Sequence, residues 1–337
     1  MEALTRACEA VGVRRLVHIS AVGVERGEGA FLGTKKTADE ALGRSSLDWV
    51  ILRPGLVISP LAYGGSALLR GLAGLPFAIP ATRSASRIQT VSVDDVAKAV
   101  IESLHVDRAR FVCDLVADEA TTLGDVLLAM RRWLGLPPAR ILAVPGWCGA
   151  IAAGCADLLG RLGWRSPMRT TALRQLAAGV EGRAEDAATH LGFTPRNLAE
   201  TLAAWPSGVQ ERWFARLYLM KPLVIATLAV FWVASGVVGL ARHESAEGLL
   251  RVAGLPSGMA TAAVYGGSAL DLCLGLMACV RPTASKAFIG MIVVTAGYLV
   301  SASIWTPALW ADPLGPLVKS LPAAVLALVA LAVLDER

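Results

Sequence analysis

Residues 222–240 read PLVIATLAVFWVASGVVGL, nineteen positions without a charge. A helix needs about 20 apolar residues to cross the ~30 Å hydrocarbon core of a bilayer, so this stretch predicts a membrane span. Three more segments of the same kind follow. Between Arg251 and Arg281 lie 29 residues with one charge, Asp271; between Lys286 and Asp312 lie 25 with none; between Lys319 and Asp335 lie 15, extendable backwards through residues 314–318. These predict spans at about residues 260–280, 287–308 and 317–334, the last short enough to require Lys319 to snorkel. Four such segments in succession leave almost no polar face, which argues against helices buried in a soluble protein.

The charge distribution agrees. The chain of 337 residues is 18% charged, against roughly 25% for a soluble domain. Residues 1–220 carry 46 charges and residues 221–337 only 13. This argues against a wholly soluble, a disordered or a disulfide-stapled protein. Lys and Arg near span ends set orientation. With the first part inside, Arg212, Arg216, Lys221, Arg281, Lys286 and Arg337 fall on the cytoplasmic side and Arg242, Arg251 and Lys319 outside. Six against three predicts a multi-pass protein of the cytoplasmic membrane with both termini in the cytoplasm. Residues 1–6 have early charges and no apolar run, so no signal peptide is expected. Trp213, Phe214 and Tyr218 before the first span, and Trp305 and Trp310 after the third, sit where aromatic belts form.

The bilayer is therefore the expected partner. The net charge of +5 is scattered, with no basic cluster interleaved with aromatics, so nucleic acid is not expected. The six cysteines include no C-x-x-C and no Cys/His pair at zinc spacing, and no metal site is predicted. Asp271 is the one acid inside a span; such a carboxylate must be paired, protonated or water-facing. Three readings are open for it: a proton relay, part of a quinone pocket, or a protonated carboxyl hydrogen-bonded to a neighbouring helix. His243 and Glu244 read as a solvated loop pair.

In the first two-thirds, helix and strand signals alternate. Residues 2–11 have helical spacing and stop at Gly12. Residues 15–20 (RLVHIS) are β-rich, residues 35–43 helical, and residues 49–53 (WVILR) form a buried-type strand ended by Pro54-Gly55. Residues 91–104 read as a helix opened by Ser92 and Asp94. A strand at 110–115, a helix at 123–134 and an apolar stretch at 141–162 follow. Asp157 and Arg161 interrupt that stretch, which predicts an amphipathic or buried helix of the soluble part. A linker is expected at 192–212. Strands alternating with helices predict a parallel α/β sheet.

Four pieces occur in order: VHIS-AVGV (residues 17–24), FLGTK (31–35), LDWVILRPGLV (47–57) and QTVSVDDVAKAV (89–100). This set resembles the extended and atypical short-chain dehydrogenase/reductases (SDR), especially the NmrA-like group and those akin to an accessory subunit of respiratory complex I. The resemblance spans about residues 1–205. It implies a partial Rossmann-like sheet and NAD or NADP as cofactor. It also implies a catalytic serine at Ser20, the family tyrosine position at Phe31, and the family lysine at Lys35. Ser20 and Lys35, with Pro54, Gly55 and Leu56, would then line the cofactor. In the family, Tyr and Lys four apart share a helix face. The ammonium lowers the tyrosine pKa and holds the ribose, Ser polarises the carbonyl, and Tyr protonates the developing alkoxide. Asp95–Ala97 would cap a later helix.

Two departures stand out. Phe31 has no phenolic proton, and no G-x-x-G-x-x-G follows a first strand. Gly23 and Gly27–Gly29 are not expected to open a helix in the manner of a phosphate loop. Only the nicotinamide side of a dinucleotide site is then present, and binding should be poor. Plainer readings stand beside each residue: Ser20 as a turn, Lys35 beside Lys36 as a solvated face, Arg53-Pro54 as a strand terminator, Asp94 and Asp95 as N-caps, and His18 as a core histidine.

From RWFARLYLMKPLVIATLAVFWVASGVVGL onward, residues 212–335 resemble the DoxX-like family of four-helix membrane proteins, some linked to quinone redox systems. The expected architecture is an α/β, partial Rossmann-like domain at 1–205 followed by an all-α four-helix transmembrane domain at 212–337. The expected function is a membrane-anchored NAD(P)-dependent oxidoreductase-like protein linked to a quinone or redox partner. The alternative is a non-catalytic membrane assembly or sensing subunit derived from such an enzyme.

Overall fold

A computed structural model describes residues 1–25, 29–313 and 315–335. They form two units: residues 1–157 with 166–218, and residues 158–165 with 219–337. In the first, α1 (Glu2–Ala10), β1 (Arg15–Ile19), α2 (Ala30–Gly43) and β2 (Asp48–Pro54) come in succession. Past Gly55 the chain continues as β3 (Leu56–Ile58), α3 (Gly64–Ala73), β4 (Ala78–Ala81), β5 (Arg87–Ile88), β6 (Thr90–Ser92) and α4 (Val93–His105). Next come β7 (Phe111–Leu115), β8 (Thr121–Thr122), α5 (Leu123–Trp133), β9 (Arg140–Ala143) and α6 (Gly146–Arg161), then α7 (Thr170–Ala178), α8 (Glu185–Leu191), α9 (Leu198–Ala203) and α10 (Val209–Tyr218).

The sheet is parallel, as the alternation predicted. Its central part has the order β1-β2-β7, with Val17 opposite Val50 and Val50 opposite Phe111. Val50, Ile51 and Leu52 are all buried, as in a parallel strand covered by helices on both faces. β3 pairs with β6 and β4 with β9, both parallel, and the short β5 pairs antiparallel with β8. Arg15 fastens the start of β1 to the end of α4, its Nη1 donating to the carbonyls of Ser103, Leu104 and Val106. Ser92 caps α4 by accepting the Asp94 N–H, as its sequence position suggested.

Two elements differ from expectation. Helix α2 begins at Ala30, five residues before the predicted 35, with Gly29 at its N-cap at φ +114°. Gly33 and Thr34 are weak helix formers, so pattern alone did not reach back to the start. Gly29 caps α2, the helix that carries Phe31 and Lys35, after the strand that ends before Ser20; Gly27 lies outside the described residues. The expected linker at 192–212 instead holds α9 and the start of α10. Asn197 and Glu200 form a reciprocal capping box that nucleates α9.

The second unit contains α11 (Met220–Ala241), α12 (His243–Val252), α13 (Ser257–Ala278), α14 (Arg281–Trp305), a 3₁₀ turn (Pro307–Trp310) and α15 (Ser320–Ala332). Among the described residues, α11, α13 and α14 are long and apolar enough to cross a membrane. The segment predicted as a fourth span, 317–334, holds the shorter apolar helix α15. Helix α15 has 13 residues and is only about 20 Å long at 1.5 Å per residue. Turns with hydrogen bonds from Lys319 to Gly315 and from Ser320 to Leu317 precede it, and Pro322 sits in its first turn, where a missing N–H is tolerated. Helix α14 starts earlier than residue 287 because Pro282 in its first turn is already shaped for a helix. His243 and Glu244, expected in a loop, open α12, where Glu247 is buried and accepts from Arg251 and Thr261. Helices α11 and α13 meet backbone to backbone: a Cβ on Gly275 would lie 2.9 Å from the Val233 nitrogen and 3.1 Å from the Ala229 oxygen. Small residues at such crossings are what close helix packing requires. Arg337, counted for orientation, lies outside the described residues.

Candidate functional site

Ligands of parallel sheets bind at the carboxyl ends of the strands, and that is where the predicted residues gather. Ser20 follows the last residue of β1, and its N–H donates to Leu52 O at 2.7 Å, which extends the ladder by one bond. Its hydroxyl is turned inward and donates to Asp39 Oδ2 at 3.0 Å. Phe31, Lys35 and Asp39 lie four apart on α2 and so share one face. Arg53, one residue from the end of β2, donates to the same Asp39 oxygen through Nε (3.2 Å) and Nη2 (3.1 Å). Its Nη1 reaches Glu25 at 2.8 Å.

Asp39 and Ser20 are both buried. Burial pushes the Asp39 carboxyl up, but His18, the Ser20 hydroxyl and the Arg53 guanidinium together outweigh it and hold it below the usual carboxylate value. The Glu25 carboxyl is also lowered, by the hydrogen bond and charge of Arg53. His18 Nε2 stands 3.4 Å from Asp39 Oδ1. Neither atom has a well-aligned hydrogen bond, so His18 is a neighbour of the carboxylate rather than a firm donor to it.

Lys35 takes an unexpected partner. Its Nζ donates to the Ile19 carbonyl at 3.0 Å, and the ammonium stands 5.6 Å from the centre of the Phe31 ring. Phe31 is half-exposed rather than core. The predicted backbone at Pro54, Gly55 and Leu56 is closed into the sheet. The Gly55 N–H donates to Leu115 O and the Leu56 N–H to Gln89 O, both at 3.0 Å, while Pro54 O accepts from Val22. Gly55 must be glycine, because a Cβ there would lie 2.5 Å from Gln89 O. At the end of β7, Asp114 accepts the Arg183 N–H. Burial raises its carboxyl more than that bond lowers it, and Asp186 adds to the rise.

The structure thus brings Ser20, Lys35 and, through Lys35, Phe31 to one strand end. It adds Asp39 and Glu25, which the motif reading did not include, and joins both to Arg53 of the LRPG motif. The one signal for Asp39 was its position, four residues after Lys35. A cleft of about 480 Å³ between α5 and α9 and one of about 380 Å³ between α1 and α2 include none of the predicted residues.

In the second unit Asp271 is buried and has hydroxyl partners from two other helices. Ser235 on α11 donates to Oδ2 at 2.6 Å. The Tyr298 hydroxyl on α14 lies 2.8 Å from Oδ1 and 3.3 Å from Gly267 O. Trp232 Nε1, three residues along α11 from Ser235, is buried with no hydrogen-bond partner. Nothing in the apolar runs marked Ser235 or Tyr298 beforehand.

Residues 1–107 match a family model described as NAD(P)H-binding, and residues 229–328 match one described as the DoxX-like family. No curated protein matches the chain. Solved structures resembling it include MoeE5 in complex with UDP-glucuronic acid and NAD, at 21% identity and a TM-score of 0.44 over 60% of this chain and 67% of that one. UDP-glucuronic acid 4-epimerase from Bacillus cereus matches at 17% identity and a TM-score of 0.42, over 64% of this chain and 66% of that one. An NADPH-dependent quinone oxidoreductase from Escherichia coli matches at 16% identity and a TM-score of 0.48, over 60% and 71%. The chain spans about two thirds of the length of each. Likenesses of this degree carry no statement about activity.

Proposed function

We propose that this chain is a membrane-anchored sensing or assembly subunit built on a reductase framework, in which NAD or NADP is a ligand rather than a hydride donor. One observation carries the reading: the Ser20 hydroxyl donates to a buried Asp39 that is also held by Arg53. A serine in that position polarises no substrate carbonyl, and Phe31 supplies no proton. Bound nicotinamide would supply hydride chemistry; the residues around it determine whether that chemistry has an outlet.

The fit to a dinucleotide is one-ended. Lys35 has two ammonium protons beyond the one on Ile19 O, and the Phe31 ring beside it offers a flat apolar surface. Together these suit a ribose edge and a ring. The amides of Gly55 and Leu56 are taken by the sheet.

A second reading, electron transfer involving a membrane quinone, is favoured by Asp271 with Ser235, Tyr298 and the unpartnered Trp232 Nε1. Of these, the Trp232 Nε1–H is the donor left to hydrogen-bond a quinone oxygen, with the Ser235 and Tyr298 hydroxyls held by Asp271. Titration of the full chain in nanodiscs with NADH and NADPH, followed by assays with carbonyl compounds and a soluble quinone, separates the readings. Weak nucleotide binding without turnover is expected. Carbonyl reduction would overturn the ligand role, and quinone reduction would establish the second reading in its place.

A further inference from the structure

Helix α6 is built inside out. Its buried residues are small, namely Gly149, Ala153 and Ala156, with Gly149 against Thr82. Its large apolar residues face outward: Trp147 is 66% exposed, Ile151 59% and Leu158 60%. These repeat at helical spacing with Leu162 just beyond the helix, so they form one stripe on the face opposite the small residues. A helix packed only against protein has the reverse arrangement.

The last turn of α6 and the chain after it, residues 158–165, belong to the helical unit. Trp164 Nε1 donates to Cys279 O at 2.7 Å, and the Arg281 N–H donates to Leu162 O at 2.9 Å. Cys279 lies in the two-residue connection between α13 and α14, and Arg281 is the first residue of α14. Two long apolar helices joined by so short a turn place it at a boundary between hydrocarbon and water. Arg161, Arg165 and Arg169 follow the stripe, and Asp157, whose carboxylate accepts the Thr170 hydroxyl, is the single acid on α6. An apolar face with an amphipathic tryptophan, next to arginines and fixed at a span-connecting turn, has the chemistry of an in-plane interfacial helix.

We propose that α6 lies in the membrane surface, with Trp147, Ile151 and Leu158 inserted at the boundary between headgroups and acyl chains. The proposal rests on α11, α13 and α14 being membrane spans. Its occupant is the lipid of the bilayer that holds them, rather than a protein partner.

The test uses the full chain reconstituted in vesicles of phosphatidylcholine and phosphatidylglycerol. A photo-crosslinking amino acid is placed singly at Trp147, Ile151 or Leu158, all exposed positions where replacement disturbs little packing. Val230, exposed on α11, serves as the span control, and Val11, exposed on the first unit, as the aqueous control. Phospholipid adducts are expected at the three α6 positions and at Val230, and not at Val11. Lipid adducts at Val230 with only solvent or protein adducts on α6 would overturn the proposal. Absence of lipid adducts at Val230 would overturn the spans on which it stands.

Discussion

Two carboxylates, Asp39 in the α/β unit and Asp271 in the helical unit, are buried to the same degree, 6% and 5% exposed. Both accept a serine hydroxyl. They differ in what balances the charge: Asp39 has the Arg53 guanidinium, whereas Asp271 has only the hydroxyls of Ser235 and Tyr298 among the described residues. The first is a closed ion pair whose members come from separate elements and hold α2 to the ends of β1 and β2. The second is a carboxyl whose charge has no cation beside it, in a bundle where an ionised group is costly. One arrangement serves the fold; the other leaves room for a proton or a polar ligand.

The largest expected effect tests the closed pair. Asp39→Ala removes the acceptor of Ser20 and leaves Arg53 facing Glu25 alone, at the exposed end of its reach. Breaking one side of a buried pair costs about 3–5 kcal/mol, so hydrogen exchange should show β1 and β2 opening at much lower free energy. Asp271→Ala removes hydrogen bonds that average about 0.6 kcal/mol each inside membrane proteins, and the helical unit should lose far less. Equal losses at the two sites would erase the contrast.

A smaller effect appears with pH. The folded-state value of Asp39 is depressed, so its stabilisation is fully present above the unfolded carboxylate value of about 3.9. It is lost as pH falls through the lower folded value. Denaturant midpoints of the α/β unit should therefore drop across that acid window, and Asp39→Asn should flatten the drop. A wild-type curve level through the window would show that Arg53 does not hold the ionised form.

This contrast was only partly legible in the sequence. Strands β1 and β2 and helices α4 and α5 follow from their apolar runs and caps, because those signals are local. Ser20 and Lys35 could be placed from motif order. Asp39 could not, because its role depends on Arg53, fourteen residues on, reaching back across the strand ends. Asp271 was conspicuous as a lone charge, but Ser235 and Tyr298 sit in runs whose hydropathy hides them. The apolar run at 317–334 is longer than α15 (Ser320–Ala332), because apolar composition measures what could enter a bilayer and not where a helix begins and ends.

The smallest effect expected is the sharpest probe of whether the first region is structural. Phe31→Tyr adds one hydroxyl to a half-exposed ring beside Lys35, so stability should change by no more than about 0.5 kcal/mol. In a working reductase site, restoring a general acid is worth about 10²–10⁴-fold. Here the gain should be absent, because the Ser20 hydroxyl has one proton and it points at Asp39, while Lys35 is engaged with Ile19 O. The new phenol would stand next to an ammonium with no serine turned towards a substrate. Carbonyl reduction by the full-length Phe31→Tyr chain, with NADH or NADPH in excess, should match the unmodified chain. A rise of about a hundredfold that disappears in Phe31→Tyr with Lys35→Ala would mean that Ser20 can leave Asp39 during turnover. The pair at Asp39 would then be an open site, and the difference from Asp271 one of state rather than of construction.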